Sequence, residues 1–206
     1  MVVPCLIIDV YIAPGSNMTQ SMFNTHRDWV DFVYGVPNTF WGNRSPNSCR
    51  FDIRWRFRDA QGTPVMASLG GPIVNPNIPM NALTCDRFEQ QSDYLRFWLN
   101  SRPAGPGPFG PTNTRDVAVY YVQGPLVGGE GAVGCAPYIT PNGPAIVLTN
   151  GAPAQGLAHE LGHLLGLSHV NDENNLMNPV GVPTSFRLTN QQCTTARSSQ
   201  YFKSCQ

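Results

Sequence analysis

One eleven-residue segment constrains this chain more than any other, since residues 159–169 read HELGHLLGLSH. On a helix, positions i and i+4 lie on one face, so His159 and His163 can offer ring nitrogens to a single metal ion, with Glu160 beside them. Gly166 can take a positive φ, which ends the helix and lets a sharp turn bring His169 back as a third ligand. The chain is therefore predicted to fold around a metal site made by a helix and the turn that follows it.

The donor set of this segment favours zinc. Three neutral imidazoles suit Zn²⁺ and leave its fourth tetrahedral position for water, which is typical of catalytic rather than structural zinc sites. Zinc lowers the pKa of water toward about 7, and Glu160 is placed to take a proton as that water attacks a carbonyl. The sequence predicts one catalytic Zn²⁺ held by His159, His163 and His169, with Glu160 as general base. A site that binds metal without turnover is the alternative.

Composition limits the classes of partner. The 206 residues suit one domain, and 20 Gly and 19 Pro predict long ordered loops. With 13 basic and 13 acidic residues, no net charge attracts nucleic acid or an anionic membrane. No apolar run approaches the roughly 18 residues of a membrane span, and the first residues lack the basic region of a signal peptide, as expected for a mature form.

Cysteine usage predicts the compartment. The chain has 6 cysteines, with none in CxxC spacing, which favours disulfides, an oxidising environment and secretion. Six cysteines allow 15 connectivities. We expect Cys193 to pair with Cys205, its near neighbour in sequence, and Cys5 to pair with Cys49 on an adjoining strand. The alternative for Cys5 is a thiolate that caps the zinc.

Hydrophobic periodicity predicts a mixed α/β fold. Strands are predicted at 2–12, 49–58, 117–122, 133–140 and 145–149, and helices at 19–34, 84–99 and from 189 to about 201. In the second strand, apolar side chains alternate with arginines, so one face is predicted to be core and the arginine face solvated. That face is also the only feature here that favours a nucleic-acid or acidic partner. Thr189 and Gln192 have the spacing of a capping box for the last helix.

HExxHxxGxxH resembles the signature of the metzincin clan of zinc endopeptidases. Metzincins also have a methionine-bearing turn beneath the metal, and residues 175–179, NLMNP, match it with Met177. Astacins and serralysins have a Tyr two residues after the Met-turn methionine, where it helps to hold the metal or the transition state. This chain has Pro179 at that position, as matrixins and reprolysins do. Val170, after the third His, matches none of the common family choices. The resemblance indicates the clan and leaves the subfamily open.

The resemblance implies an α+β fold in one catalytic domain. A twisted mixed sheet with helices would form an N-terminal lobe over residues 1–166. A small irregular C-terminal lobe, 167–206, would carry the third His, the Met-turn and the last helix. Zinc would lie in the cleft between the lobes, and Met177 would be its apolar floor rather than a ligand. One acid of the loop before the Met-turn, Asp172, is a candidate acceptor for a ligand imidazole.

The implied activity is that of a zinc endopeptidase, acting as a monomer on an extended stretch of protein. The substrate would pair with the edge strand at 133–140, and residues 180–186 would wall the pocket after the scissile bond. The alternative is a zinc-containing binding protein or toxin subunit on the same fold that hydrolyses nothing. No EF-hand-like loop is present, and the sequence leaves a calcium requirement open.

Overall fold

A five-stranded mixed sheet organises the part of the chain that the structure, a computed structural model, describes. The described residues are 4–12, 16–35, 49–57, 106–107, 110–111, 116–122, 133–140, 143–179 and 187–203. The strands are β1 (Cys5–Ile12), β2 (Asp52–Phe57), β3 (Pro106–Gly107), β4 (Gly110–Pro111), β5 (Val117–Val122), β6 (Gly134–Thr140) and β7 (Gly143–Thr149). The helices are α1 (Gln20–Tyr34), α2 (Gly156–Leu164) and α3 (Asn190–Arg197).

The order of strands in the sheet is β2-β1-β5-β7-β6, and β3 and β4 form a separate two-stranded pair. All neighbours in the five-stranded sheet pair in parallel except β6, which runs antiparallel to β7 at the edge. Every residue of β5 and β7 is buried, as expected for parallel strands covered on both faces. The predicted mixed sheet is confirmed, and the segment predicted as its edge strand, 133–140, contains β6 at the edge of the described sheet.

Helix α1 packs against one face of this sheet. Its N-terminus is capped by Thr19, whose Oγ1 accepts a hydrogen bond from the Met22 amide at 3.2 Å. The fully buried Phe23 meets Tyr121 of β5 edge to face, with ring centroids 6.2 Å apart. The helix predicted from apolar spacing is confirmed, and its last residue, Tyr34, is fully buried.

Helices α2 and α3 belong to the C-terminal part of the chain. Helix α2 follows β7 after a short turn and packs against α1, β6 and β7. Helix α3 begins with the predicted capping box, because Thr189 accepts from the Gln192 amide and the Gln192 side chain accepts from the Thr189 amide. It ends at Arg197, earlier than the predicted end near Tyr201. None of the described helices is long and apolar enough to cross a membrane.

The predicted solvated face of β2 is wrong at Arg56. Its guanidinium is buried and makes a double contact with Asp9 of β1, with Nε–Oδ1 at 2.7 Å and Nη2–Oδ2 at 3.1 Å. Nη2 also contacts Asp116, whose other oxygen contacts Lys203. Arg50 and Arg54 are exposed as predicted, and Arg54 pairs with Asp52. Carboxylates therefore meet the charges of the two arginines within β2, Arg54 and Arg56.

The two predicted disulfides are also wrong. Cys49 pairs with Cys193, which joins the segment just before β2 to helix α3. Cys5 is disulfide-bonded as well, so it is no thiolate for zinc. Closeness in sequence did not predict the partner of Cys193, because helix α3 packs beside the start of β2. The Arg197 guanidinium supports the same junction by donating to the Cys49 carbonyl at 2.9 Å and 3.2 Å.

Two sequence predictions fall outside the described residues. These are the helix at 84–99 and the pocket wall at 180–186. The division into lobes at residue 166 stays a prediction.

Candidate metal centre

Helix α2 and the turn after it bring the three histidines of the motif together. Gly166 has φ of +91°, as its predicted role requires. The Leu167 amide donates to the Gly162 carbonyl, and the Gly166 amide donates to the His163 carbonyl, both at 2.9 Å. These two bonds define a Schellman motif, which ends the helix and reverses the chain toward His169.

The Nε2 atoms of the three imidazoles converge on one point. The separations are 3.1 Å for His159–His163, 2.9 Å for His163–His169 and 3.2 Å for His159–His169. Two nitrogens bound tetrahedrally to one zinc, each at about 2.0–2.1 Å, lie about 3.3–3.4 Å apart. The triangle therefore has nearly the size that a shared zinc ion requires.

Backbone carbonyls fix the orientation of two of these rings. His159 Nδ1 lies 2.7 Å from the Leu176 carbonyl oxygen, and His163 Nδ1 lies 2.9 Å from that of Leu167. A carbonyl only accepts, so both Nδ1 atoms carry the proton and both Nε2 atoms present lone pairs. Two lone pairs at this separation repel each other, and a cation between them would relieve the repulsion. The chemistry of the donor set thus fits a metal ion, and His₃ favours zinc.

Burial favours the neutral form of two of the three imidazoles. It lowers the pKa of His159 to about 4, although the bond to the Leu176 carbonyl opposes the shift. The pKa of His163 is lowered for the same reason, against its bond to Leu167. A metal ion binds imidazole in its neutral form. At neutral pH these two rings therefore need not lose a proton before they bind.

Glu160 lies in a desolvated position next to the first ligand. Burial raises the pKa of its carboxyl group to about 8. A dication on the neighbouring imidazoles would favour the carboxylate and lower this pKa. Gly134 of β6 packs directly against the Glu160 side chain. The predicted base is therefore confined between α2 and the edge strand.

Met177, which the sequence predicts to be the apolar floor of the site, packs against Gly162 of helix α2. It is fully buried, and its Sδ lies so close to Gly162 that a Cβ there would be 2.4 Å from the sulfur. The Tyr34 hydroxyl touches the same glycine and donates to the Ala158 carbonyl at 3.0 Å. Helix α2 is thus held from below by Met177 and by the end of α1. No sequence pattern indicates the contact with Tyr34.

Two comparisons bear on this arrangement, and a third is negative. The matrixin family of peptidases matches residues 153–198, which include all three histidines, Glu160 and Met177. No curated protein sequence matches the chain. The structure is similar to metalloproteinase-II from Bacteroides fragilis, with a TM-score of 0.58 and 11% sequence identity. The likeness covers 94% of this chain and 52% of that protein, so this chain spans about half of its length.

The family match falls on the metal segment, and the structural match extends the likeness to the fold. The metal segment is similar to that of the matrixins, and the fold is similar to that of a metalloproteinase. The subfamily of the chain is unresolved, because the family match spans 46 residues, 153–198, and the structural likeness at this identity shows the fold alone.

The turn that carries Met177 is joined to helix α3 by a pair of side-chain amides. Asn175 Nδ2 donates to Gln192 Oε1 at 2.9 Å, and Gln192 Nε2 donates back to Asn175 Oδ1 at 3.1 Å. Asn175 Oδ1 also accepts from the Met177 amide at 3.0 Å. Leu176 lies between Asn175 and Met177 in the chain, and its carbonyl orients His159. The capping box of α3 is therefore connected to a metal ligand through two side chains.

Gln192→Glu is expected to weaken zinc binding. The substitution keeps the acceptor for the Thr189 amide but removes the donor to Asn175 Oδ1 and sets two oxygens against each other. Loss of such an outer partner typically costs about 10- to 100-fold in metal affinity. The measurement is zinc affinity by competition with a chelating dye. Gln191→Glu, an exposed neighbour on the same helix, adds the same charge and should bind zinc like the wild type.

Asp172 does not orient an imidazole in the described structure. It is exposed and accepts a hydrogen bond from the Asn174 amide at 3.0 Å. The acceptors for His159 and His163 are main-chain carbonyls, which leave no trace in the sequence. Asn175 carried a usable signal, since a polar residue two positions before the Met-turn methionine can bond to the turn's own backbone.

Proposed function

We propose that this chain is a zinc-dependent endopeptidase that hydrolyses peptide bonds in proteins. The observation that carries the proposal is the convergence of three Nε2 atoms within 3.2 Å of one another, with Glu160 next to the first ligand on the same helix. His159, His163 and His169 would hold the ion. A structural zinc site has no use for an adjacent desolvated carboxylate, whereas hydrolysis needs a base at that position.

The chemistry divides between the ion and Glu160. When bound, zinc would supply the activation of water near neutral pH and the polarisation of the scissile carbonyl. Glu160 takes one proton as the water oxygen forms its bond to the carbonyl carbon. It then passes this proton to the nitrogen as the carbon–nitrogen bond breaks, which leaves a carboxylic acid and an amine. The desolvated setting of Glu160 favours the first transfer, because it stabilises the protonated form of the carboxyl group.

The substrate in this proposal is an extended protein segment. In the described sheet β6 is the outer strand, and it packs against the helix that carries Glu160. An extended peptide that added to this strand would run beside the metal centre, with main-chain hydrogen bonds supplying affinity. The protein would act as a monomer outside the cell, in keeping with its disulfides.

The test combines metal analysis with digestion of an unfolded protein. We expect the purified protein to contain one zinc per chain and to cleave reduced casein. A chelator should abolish cleavage, and added zinc should restore it. Zinc at full occupancy without cleavage of casein or of a random peptide library would instead support the zinc-containing binding protein.

A further inference from the structure

Gly134, the first residue of edge strand β6, lies against the proposed base. A Cβ at this position would be 2.9 Å from Glu160 Oε1 and 3.0 Å from Glu160 Cγ. It would also be 2.7 Å from Leu148 Cδ2. Favourable contacts between carbon atoms lie at about 3.5–4.0 Å. Any side chain at residue 134 must therefore displace Glu160, Leu148 or the strand itself.

The glycine is not required by backbone conformation. Among the described glycines only Gly143 and Gly166 have a positive φ. Gly134 has the extended backbone of a strand, where other residues are preferred to glycine. A glycine inside a strand often marks a place where another group approaches closely. Here the group that approaches is the Glu160 side chain.

We propose that Gly134 is a positioning residue for Glu160, whose missing Cβ leaves the space in which the carboxylate lies against β6. The inference rests on the proposed function and deepens it. Helix α2 cannot move away to make room, because its other residues are fixed by Met177, by the Tyr34 hydroxyl and by the orientation of two ligand imidazoles. A methyl group at 134 would thus turn the Glu160 side chain out of its place while the helix stayed.

The same strand would have two roles. Its backbone would receive the substrate, and its glycine would form one wall around the base. The Glu160 carboxylate and the substrate backbone would then both contact β6. This shared contact would fix the position of the carboxylate relative to the bound peptide. This arrangement predicts that a small addition at 134 affects the rate of the chemical step more than the binding of substrate.

The first test is Gly134→Ala in the zinc-loaded protein, assayed with a quenched fluorescent peptide that the wild type cleaves. We expect kcat to fall roughly 10- to 100-fold, as for a misplacement of about 1 Å, with KM within about twofold of the wild type. Zinc content and the absorption spectrum of the cobalt-substituted protein should be unchanged, because the ligands have not moved. A merely structural role would alter these two properties as well.

Two second-site changes identify the group that is displaced. Leu148→Val removes Cδ2 and should not restore kcat in the Gly134→Ala background. Glu160→Asp shortens the acid by one methylene and should cost less activity in that background than in the wild type. Recovery of kcat by Leu148→Val would overturn the inference, since the clash would then lie in the core.

Unfolding supplies a readout that is independent of activity. Gly134→Ala should lower the urea midpoint of the metal-free protein, and should lower it less when Glu160→Ala is also present. If the changes in urea midpoint caused by Gly134→Ala and Glu160→Ala were additive, the two residues would not be in contact and the inference would be overturned. An inactive wild type would overturn the proposed function, whereas an active wild type with an equally active Gly134→Ala would overturn this inference alone.

Discussion

Glu160→Gln is expected to abolish peptide hydrolysis while the protein keeps its zinc. The amide has nearly the shape of the carboxyl group, so the packing against Gly134 is retained. It cannot take a proton from water, and a positioned general base typically contributes about 10²- to 10⁴-fold to the rate. The three imidazoles are untouched, so zinc should remain at one ion per chain. The loss should appear in kcat, since the base acts in the transition state rather than in substrate binding.

The matched control is Glu173→Gln, the same change in an exposed residue of the loop before the Met-turn. This variant should cleave at the rate of the wild type. Both variants are assayed for zinc content and for cleavage of one fluorescent peptide. If Glu160→Gln kept more than about a tenth of the wild-type kcat, a different group would be the base.

The metal centre was predictable because its determinants are local. The i, i+4 spacing of His159 and His163 and the glycine that ends the helix lie within eleven residues, 159–169. Helical geometry and the positive φ of Gly166 then suffice to bring the ligand nitrogens together. The strands β5 and β7 were predictable for a similar reason, since buried parallel strands are continuous apolar runs.

The groups that hold this centre in place were not predictable. The acceptors for two imidazoles are carbonyls, which every residue has, and the tie from Asn175 to Gln192 joins residues 17 apart. The close approach of Gly134 to Glu160 is a contact between strand β6 and helix α2, which are separated in the chain by strand β7. Such contacts depend on tertiary packing, and sequence periodicity indicates only which face of an element is apolar.

The prediction that the arginine face of β2 is solvated was wrong at Arg56 for a related reason. Alternation correctly separated the two faces of the strand, but it assigned the polar face to solvent without knowing what covers it. At Arg56 the neighbouring strand supplies Asp9 in direct register, and Asp116 lies next to both. A charged side chain on a covered face requires partners of opposite charge, and here they come from distant parts of the chain.

Arg56→Met is expected to destabilise the fold strongly. It would leave the carboxylates of Asp9 and Asp116 buried without their shared cation, and both side chains are fully buried. Removal of one partner from a buried ion pair typically costs about 3–5 kcal/mol. Lys203 remains beside Asp116 and can compensate only in part, since it contacts one of the two acids. The free energy of unfolding from urea titration, with the disulfides intact, should fall by that amount.

Arg54→Met on the same strand is the matched control. Arg54 pairs with Asp52 at 3.1 Å, but the side chains are 47% and 38% exposed, so solvent screens the pair. Its loss should change the free energy of unfolding by no more than about 1 kcal/mol. Equal effects of the two substitutions would mean that Asp9 and Asp116 become solvated or protonated in the variant. An Asp9→Asn/Arg56→Met double variant separates these cases, because it should recover stability only if the uncompensated Asp9 charge caused the loss.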